Sequence, residues 1–405
     1  MSSVTNPSAS GTITALERPR HGGIRSTLEG VQGATRPAGG DLLASAAMTK
    51  SERSPHQERL DAMRKRLAAI PADGLFATPS SNLFYLTGID FWRSERLTAL
   101  LLFADREPVV LCPAFEESRL RGMSAVGNLV TWQETENPFE KAAKLFPAAA
   151  GSLAIEPSTA YEDVERLLTA RPGWKPISAG SAIAALRMVK TPGELAAMRR
   201  AVELALPRFA RAFGSLKPGA VEADVSAAFG GENVVQFGES SGMPHGASTA
   251  RRLAKDEAVL IDAWDRPEGY FYDITRSTFF GKPSDEYRKV WQIVLEAQSA
   301  AIERAAPGVR CSDVDAAARR VIEKAGYGSY FTHRLGHGLG IDVHEPPYMV
   351  ADNATLLEPG MTFTSEPGIY LPGRFGVRIE DDIVVTERAA ESLSPRVSRL
   401  EPIAA

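Results

Sequence analysis

Residues 258–280 read AVLIDAWDRPEGYFYDITRSTFF. Residues 258–264 and 270–280 are rich in Val, Ile, Tyr, Phe and Thr, and the turn-forming Arg266-Pro267-Glu268-Gly269 lies between them, so the stretch predicts a β-hairpin. Asp262 and Asp273 are symmetric about the middle of that turn, between Pro267 and Glu268. A regular hairpin then sets them directly opposite each other, with Cβ atoms about 5 Å apart, where like charges destabilise the ladder. A divalent cation reverses that sign, because carboxylate oxygens ligate hard and borderline ions. The alternative is a loose turn whose two aspartates point into solvent.

A second hairpin of the same construction decides between them. Residues 361–385, MTFTSEPGIYLPGRFGVRIEDDIVV, fold about Leu371-Pro372-Gly373-Arg374 and leave Glu366 and Glu380 symmetric about Gly373. A nitrogen donor lies between the hairpins in His333-Arg-Leu-Gly-His337-Gly-Leu-Gly. Five donors of mixed oxygen and nitrogen type suit two adjacent metal ions better than one.

Asp262, Asp273, His337, Glu366 and Glu380, in the contexts IDAW, YDITR, GHGLG, SEPGIY and VRIEDD, resemble the five ligands of the pita-bread metallopeptidases. Within that family the chain is most similar to the Xaa-Pro dipeptidases (prolidases) and the related aminopeptidases P, from about residue 58 to about residue 388. The resemblance implies an α/β (α+β) chain: a small amino-terminal α/β domain, then a pita-bread catalytic domain of the creatinase/aminopeptidase type. It implies two divalent ions, manganese or cobalt, with zinc as an alternative, holding a bridging water whose pKa falls towards neutrality. Glu366 takes a second role in this picture as acceptor of the water's proton. His245, in Met243-Pro-His-Gly, and His344, in Asp342-Val-His-Glu-Pro-Pro347, resemble the family's non-ligand histidines that bind substrate and stabilise the tetrahedral intermediate. His333 resembles a substrate-contact position. The amino-terminal domain of such proteins helps close a partner's site, which implies a homodimer. Arg378, two residues before Glu380 and so on the same strand face, is expected either to hold the hairpin's carboxylates or to grip the substrate's terminal carboxylate; Arg374, at the turn, is a second candidate for the latter.

The rest of the chain is compatible with this reading. With 405 residues, 44% of them apolar, it is long enough for two substantial cores. A net charge of −4 calls for neither nucleic acid nor an anionic membrane surface, and no run of about 18 apolar residues suggests a membrane span. Cys112 and Cys311, far apart and outside any CxxC pair, suggest no disulfide framework, and a reducing cytoplasmic compartment is the default. Of six histidines, His245, His333, His337 and His344 all lie in the part that carries the acid pairs.

Residues 1–48, dominated by Ser, Thr, Gly, Ala and Pro, read as a disordered arm without a secretory signal. Leu60, Met63, Leu67 and Ile70 mark an amphipathic helix over 50–70, opening an α/β domain over 49–183. The catalytic domain is taken as 184–405. Its first helix has Thr191 as N-cap, Pro192 in the first turn and an apolar stripe of Leu195, Met198, Ala201, Val202 and Ala205. The order continues with a shorter helix, the first hairpin, helices over 285–305 and 312–325, the histidine segment and the second hairpin, which suggests an internal duplication. Residues after about 390 read as a surface tail.

Three rival motifs fail. Gly238-Glu-Ser240-Ser-Gly242 fits a nucleophile elbow, but Pro244 sits where its helix must begin. His344-Glu345 is followed by prolines and does not make HExxH, and Gly336 to Gly340 lacks dinucleotide-binding spacing. The expected activity is hydrolysis of Xaa-Pro dipeptides, small peptides whose proline nitrogen offers no N–H to ordinary peptidases. Alternatives are aminopeptidase P action on longer peptides, a non-peptide hydrolase or lyase on the same fold, and a peptidase-dead binding module. Trp264, where relatives have a small Gly, Ser240, where Asn is common, and the short segment between Glu222 and Phe237 are departures that bear on the substrate.

Overall fold

The structure, a computed structural model, describes residues 54–405. The arm expected over 1–48 lies outside the described residues. Helix α1, Pro55–Ala69, starts on Ser54, whose side chain caps Gln57 N, and it buries Leu60, Met63 and Leu67, with Ile70 packing beside them. Strands β1 (Gly74–Ala77), β2 (Ala99–Phe103), β3 (Val109–Pro113), β4 (Leu129–Trp132), β5 (Ser152–Ile155) and β6 (Lys175–Ser178) form one sheet in the order β4-β3-β2-β1-β5-β6. Between them run helices α2 (Ser81–Thr87), α3 (Glu117–Met123), α4 (Pro138–Ala143) and α5 (Tyr161–Ala170), and α6 (Gly180–Arg187) follows β6. β1, β2 and β3 are buried along their whole length, as continuous apolar runs such as ALLLF require.

Helix α7, Pro192–Ser215, begins with a complete capping box: Thr191 accepts from Glu194 N while Glu194 accepts from Thr191 N. Met198, Ala201, Val202 and Ala205 are buried, and Leu195 packs against the same core. After α8 (Glu222–Phe229), strands β7 (Glu232–Phe237), β8 (Glu257–Asp265) and β9 (Tyr272–Phe280) make an antiparallel sheet. β7 occupies the segment that looked merely shortened in the sequence; its ENVVQF is too brief for a clear period. Helices α9 (Asp285–Arg304) and α10 (Cys311–Lys324) come next, so a helix pair precedes each hairpin. β10 (Gly336–Gly338) pairs with β11 (Glu345–Met349). The second hairpin comprises β12 (Thr362–Ser365), β13 (Gly368–Leu371), β14 (Phe375–Arg378) and β15 (Asp381–Val385), with Gly373 at φ +69° in its turn.

The first hairpin differs from expectation in register. Asp262 pairs with Thr275 and Asp273 with Trp264, so the two aspartates are diagonal neighbours on one face rather than directly opposed. Tyr270 and Phe271, expected to begin the second strand, are drawn out of the ladder: Tyr270 donates to Glu194 at 2.8 Å and Phe271 N donates to Gly340 O at 2.7 Å. The turn lengthens and the pairing slips, but by a step that keeps both side chains on the same face. In the second hairpin the expected symmetry about Gly373 holds on both sides of the acids, from Thr362↔Val384 to Gly368↔Arg378. The ladder breaks at Glu366 and Glu380 themselves. Pro367 has no N–H to give, Glu366 N turns to Leu335 O and Glu380 N to Thr275 O, which fastens the second hairpin to its neighbours at the acids.

The chain end is also fixed more firmly than a surface tail suggests. β16, Ala390–Ser392, adds to β15, and Ile403 exchanges backbone hydrogen bonds with Phe279 and Gly281. No helix among the described residues is long and apolar enough to cross a membrane.

Candidate metal centre

β8 and β9 present Asp262 and Asp273, the break in the second hairpin presents Glu366 and Glu380, and β10 presents His337. All five border one cavity of about 390 Å³, together with His245, His333, His344, Trp264, Arg334 and Arg378. Asp273, His337 and Glu380 are buried. The donor atoms fall into three overlapping groups, each with its atoms within 4.8 Å of one another: Asp262, Asp273 and Glu380; His337, Glu366 and Glu380; and Asp273, His337 and His344. The last group was not anticipated, since the sequence reading gave His344 no ligand role.

His337 Nδ1 lies 3.1 Å from Gly338 O, a group that only accepts, so Nδ1 carries the proton and the Nε2 lone pair is free. That nitrogen is 3.3 Å from Glu366 Oε1 and 3.6 Å from Asp273 Oδ2. Burial, reinforced by His344, holds the imidazole down at about 3, so it is neutral and able to ligate at ordinary pH. The carboxylates move the other way. Burial and then the charge of Glu380 raise Asp273 well above its usual range; burial, then Glu366 and Asp262, raise Glu380; burial, with Asp262 adding to it, pushes Glu366 up to about 7. Four acids around one neutral imidazole, with a single fully buried cation beside them, leave negative potential that only protons or added cations neutralise. The donor set fits divalent metal.

That buried cation is Arg378. Its Nη2 donates to Asp262 Oδ2 at 2.6 Å, its Nε to Thr275 Oγ1 at 2.9 Å and its Nη1 to Tyr370 Oη at 3.0 Å. Burial opposes its charge, yet Tyr370, Asp262 and Glu380 keep its pKa well above the usual arginine value. Its fork is occupied by the protein, the first of the two roles expected for it. Arg374 lies outside the cavity, paired with Glu286 on α9. His333 borders the cavity with both ring nitrogens engaged by the protein. Its Nδ1 donates to Arg334 O at 2.7 Å, so Nε2 must accept from Tyr370 Oη at 2.8 Å, and the ring closes a chain running from Arg378 through Tyr370. Burial lowers its pKa to about 4. His245 and His344 are exposed, and their ring nitrogens have no protein hydrogen-bond partner among the described residues; the His344 ring sits edge-on to His337 with centroids 4.0 Å apart.

Several supporting residues escaped the sequence reading. Thr275 Oγ1 stands 3.0 Å from Asp262 Oδ1 and 2.6 Å from Glu380 Oε2, tying the acids of the two hairpins together. Asp382 accepts from Asp273 N at 3.2 Å, and Thr364 Oγ1 accepts from His337 N and donates to Glu366 Oε1, both at 3.1 Å. Thr275 and Thr364 each stand two residues from a ligand candidate, on the same strand face, and that period-two signal was available. Tyr370 carried no such signal. Ser240, the would-be nucleophile, is buried with its hydroxyl spent on Glu222 and Phe237 O.

A family model described as metallopeptidase family M24 matches residues 196–387, and one described as the creatinase/prolidase N-terminal domain matches residues 59–189. An uncharacterized peptidase of Staphylococcus aureus (strain bovine RF122 / ET3-1) is 38% identical over 340 residues, which cover 80% of this chain and 95% of that one. The crystal structure of dipeptidase PepE from Mycobacterium ulcerans matches with a TM-score of 0.82 and 34% identity, covering 88% of this chain and 100% of the other. That of a recombinant prolidase from Thermococcus sibiricus matches with a TM-score of 0.80 and 32% identity, covering 87% and 100%. Matches of this extent to both halves of the chain, over a cavity whose acids and histidine are able to bind metal, place it in metallopeptidase family M24: it is a metallopeptidase with a creatinase-type amino-terminal domain and the pita-bread catalytic fold.

Proposed function

We propose that the protein hydrolyses the bond before proline in Xaa-Pro dipeptides, using two divalent metal ions, manganese or cobalt by family resemblance and zinc as the alternative. Asp262, Asp273, His337, Glu366 and Glu380 would hold them. The observation that carries the proposal is that these five residues line one cavity and supply two donor groups that share Glu380. When bound, the ions supply Lewis acidity and a water of lowered pKa. The protein's own groups do the rest. Glu366, which borders the cavity and has Thr364 Oγ1 at 3.1 Å from its Oε1, would take the attacking water's proton. His245 and His344, exposed at the cavity and with no ring-nitrogen hydrogen bond among the described residues, would donate to the carbonyl oxygen as it gains charge. Arg378 holds Asp262 in place, and Trp264 and Arg334 border the space left for substrate. The names of the solved relatives, a dipeptidase and a prolidase, support the substrate class. A cytoplasmic homodimer is part of the same proposal; two buried cysteines, both free, suit a reducing compartment.

Trp264 favours a second reading, in which the bulky ring fits a substrate other than a dipeptide. A panel of Ala-Pro, Leu-Pro, Xaa-Pro-Yaa tripeptides and a longer peptide, assayed with Mn, Co and Zn beside an Asp273→Ala control, separates them. Cleavage confined to dipeptides and lost in the control is the expected result. Cleavage of longer peptides moves the assignment to aminopeptidase P, and silence with metal still bound moves it to a non-peptide substrate.

A further inference from the structure

His344 stands on a short connection between β10 and β11 that has no regular structure of its own to hold it. Asp342 and Glu345, on either side of it in sequence, are nevertheless held by one side chain from the amino-terminal part of the chain. Arg187, the last residue of α6, is buried, and its Nη2 donates to Asp342 Oδ2 at 2.7 Å and to Glu345 Oε2. Its Nη1 donates to Asn82 Oδ1 at 2.6 Å on α2, and Asn82 in turn donates to the buried Glu156 Oε1 at 2.6 Å. Buried Lys190 donates to Glu345 Oε1 at 2.7 Å. Ser81 Oγ donates to Asp342 Oδ2 at 2.9 Å. Even Gly340 is packed against this cluster: a Cβ there would lie 2.8 Å from Glu345 Oε1.

Buried charge is expensive, and a peptidase fold has cheaper ways to join two parts of a chain than two buried cations around the buried Glu345, with the half-exposed Asp342 beside them. The cost makes sense if these charges set a geometry. The two carboxylates clamped by Arg187 flank Val343 and His344 in sequence; both accept from Nη2 while Nη1 is held by Asn82 on α2, so the planar guanidinium sets their position relative to that helix. We propose that Arg187, with its partners Asp342 and Glu345, is a positioning residue for His344, so that α2 and α6 of the amino-terminal part set where that imidazole meets the substrate. This rests on the reading of His344 as a donor to the substrate oxygen.

A double-mutant cycle on the full chain, loaded with manganese and assayed on a cleaved Xaa-Pro dipeptide, tests it. Asp342→Ala removes one arm of the clamp and leaves Arg187 paired with Glu345, so the fold is retained; Arg187→Lys keeps the charge but not the fork. Each is expected to lower kcat about tenfold or more, the scale on which small displacements of reacting groups act, with KM and bound metal per chain unchanged. In a His344→Ala background both are expected to cost nothing further. Hydrogen exchange of the metal-free protein, followed by mass spectrometry, should show residues 340–345 losing protection in both variants while the melting temperature of Asp342→Ala stays near that of the unmodified protein. Losses that multiply in the His344→Ala background, or a kcat that falls only in step with bound metal, would overturn the inference and leave the His344 reading standing. A His344→Ala variant of full activity would overturn that reading and this inference with it.

Discussion

Arg378 shows what a single side chain contributes here. It is the one cation buried among four acids, and it is satisfied at every nitrogen by Asp262, Thr275 and Tyr370, with Pro244 O a longer contact at 3.4 Å. Replacing it by Met leaves Asp262 unbalanced in low dielectric, and removing one partner of such a buried pair costs on the order of 3–5 kcal/mol. Urea unfolding of Arg378→Met should show that loss in full when a chelator is present, and a smaller one when metal supplies the missing positive charge. Glu366 carries a pH signature of its own. Its carboxyl is pushed from 4.5 up to about 7 in the folded protein, so the native state holds a proton that the unfolded chain has released. Its contribution to stability is therefore present at low pH and is lost as pH rises from about 4.5 to about 7. Melting temperatures of the metal-free protein should fall across that window more steeply than those of Glu366→Gln, and the gain on adding metal should be larger at pH 8 than at pH 5.

At the scale of elements, the two hairpins make the centre by being fastened to each other, and Thr275 is the fastening. Thr275→Val removes a hydroxyl that touches Asp262, Glu380 and Arg378 while keeping shape and β-branching. It should leave the fold intact and weaken metal affinity by about 10–100-fold, the usual cost of losing a partner behind a ligand; titration calorimetry measures it. The hairpins were legible in the sequence because runs of β-branched and aromatic residues, a Gly- and Pro-marked turn and symmetrically spaced acids are local signals. The symmetry of Glu366 and Glu380 about Gly373 carried through to the pairing. The register of the first hairpin did not, because it is set by Glu194 and Gly340, residues far away in the chain that capture Tyr270 and Phe271. His333 borders the cavity as expected of a substrate contact, but nothing near it in sequence announces that Tyr370 will occupy its Nε2. Arg374 stands at the hairpin tip, and only the packing of that tip on α9 reveals Glu286 as its partner.

Across the whole molecule, donors separated by more than a hundred residues meet because each helix pair is followed by a hairpin and the hairpins lie side by side. The chain end closes over the outer edge, where Arg276 reaches Pro395 O and Thr278 reaches Glu401 O. Neither β16 nor this closure could be read from a polar, proline-containing sequence, because its hydrogen bonds are to backbone and carry no side-chain pattern. The charged clamp between Arg187 and the His344 segment was equally hidden, its partners lying 155 and 158 residues apart. In the proposed centre the acids of both hairpins and His337 together hold two ions, with Glu380 common to both. Anomalous diffraction at the manganese edge from crystals grown with manganese tests that most directly. Two peaks per chain are expected, one bounded by Asp262, Asp273 and Glu380 and the other by His337, Glu366 and Glu380. A single fully occupied peak, or peaks away from these residues, would contradict it.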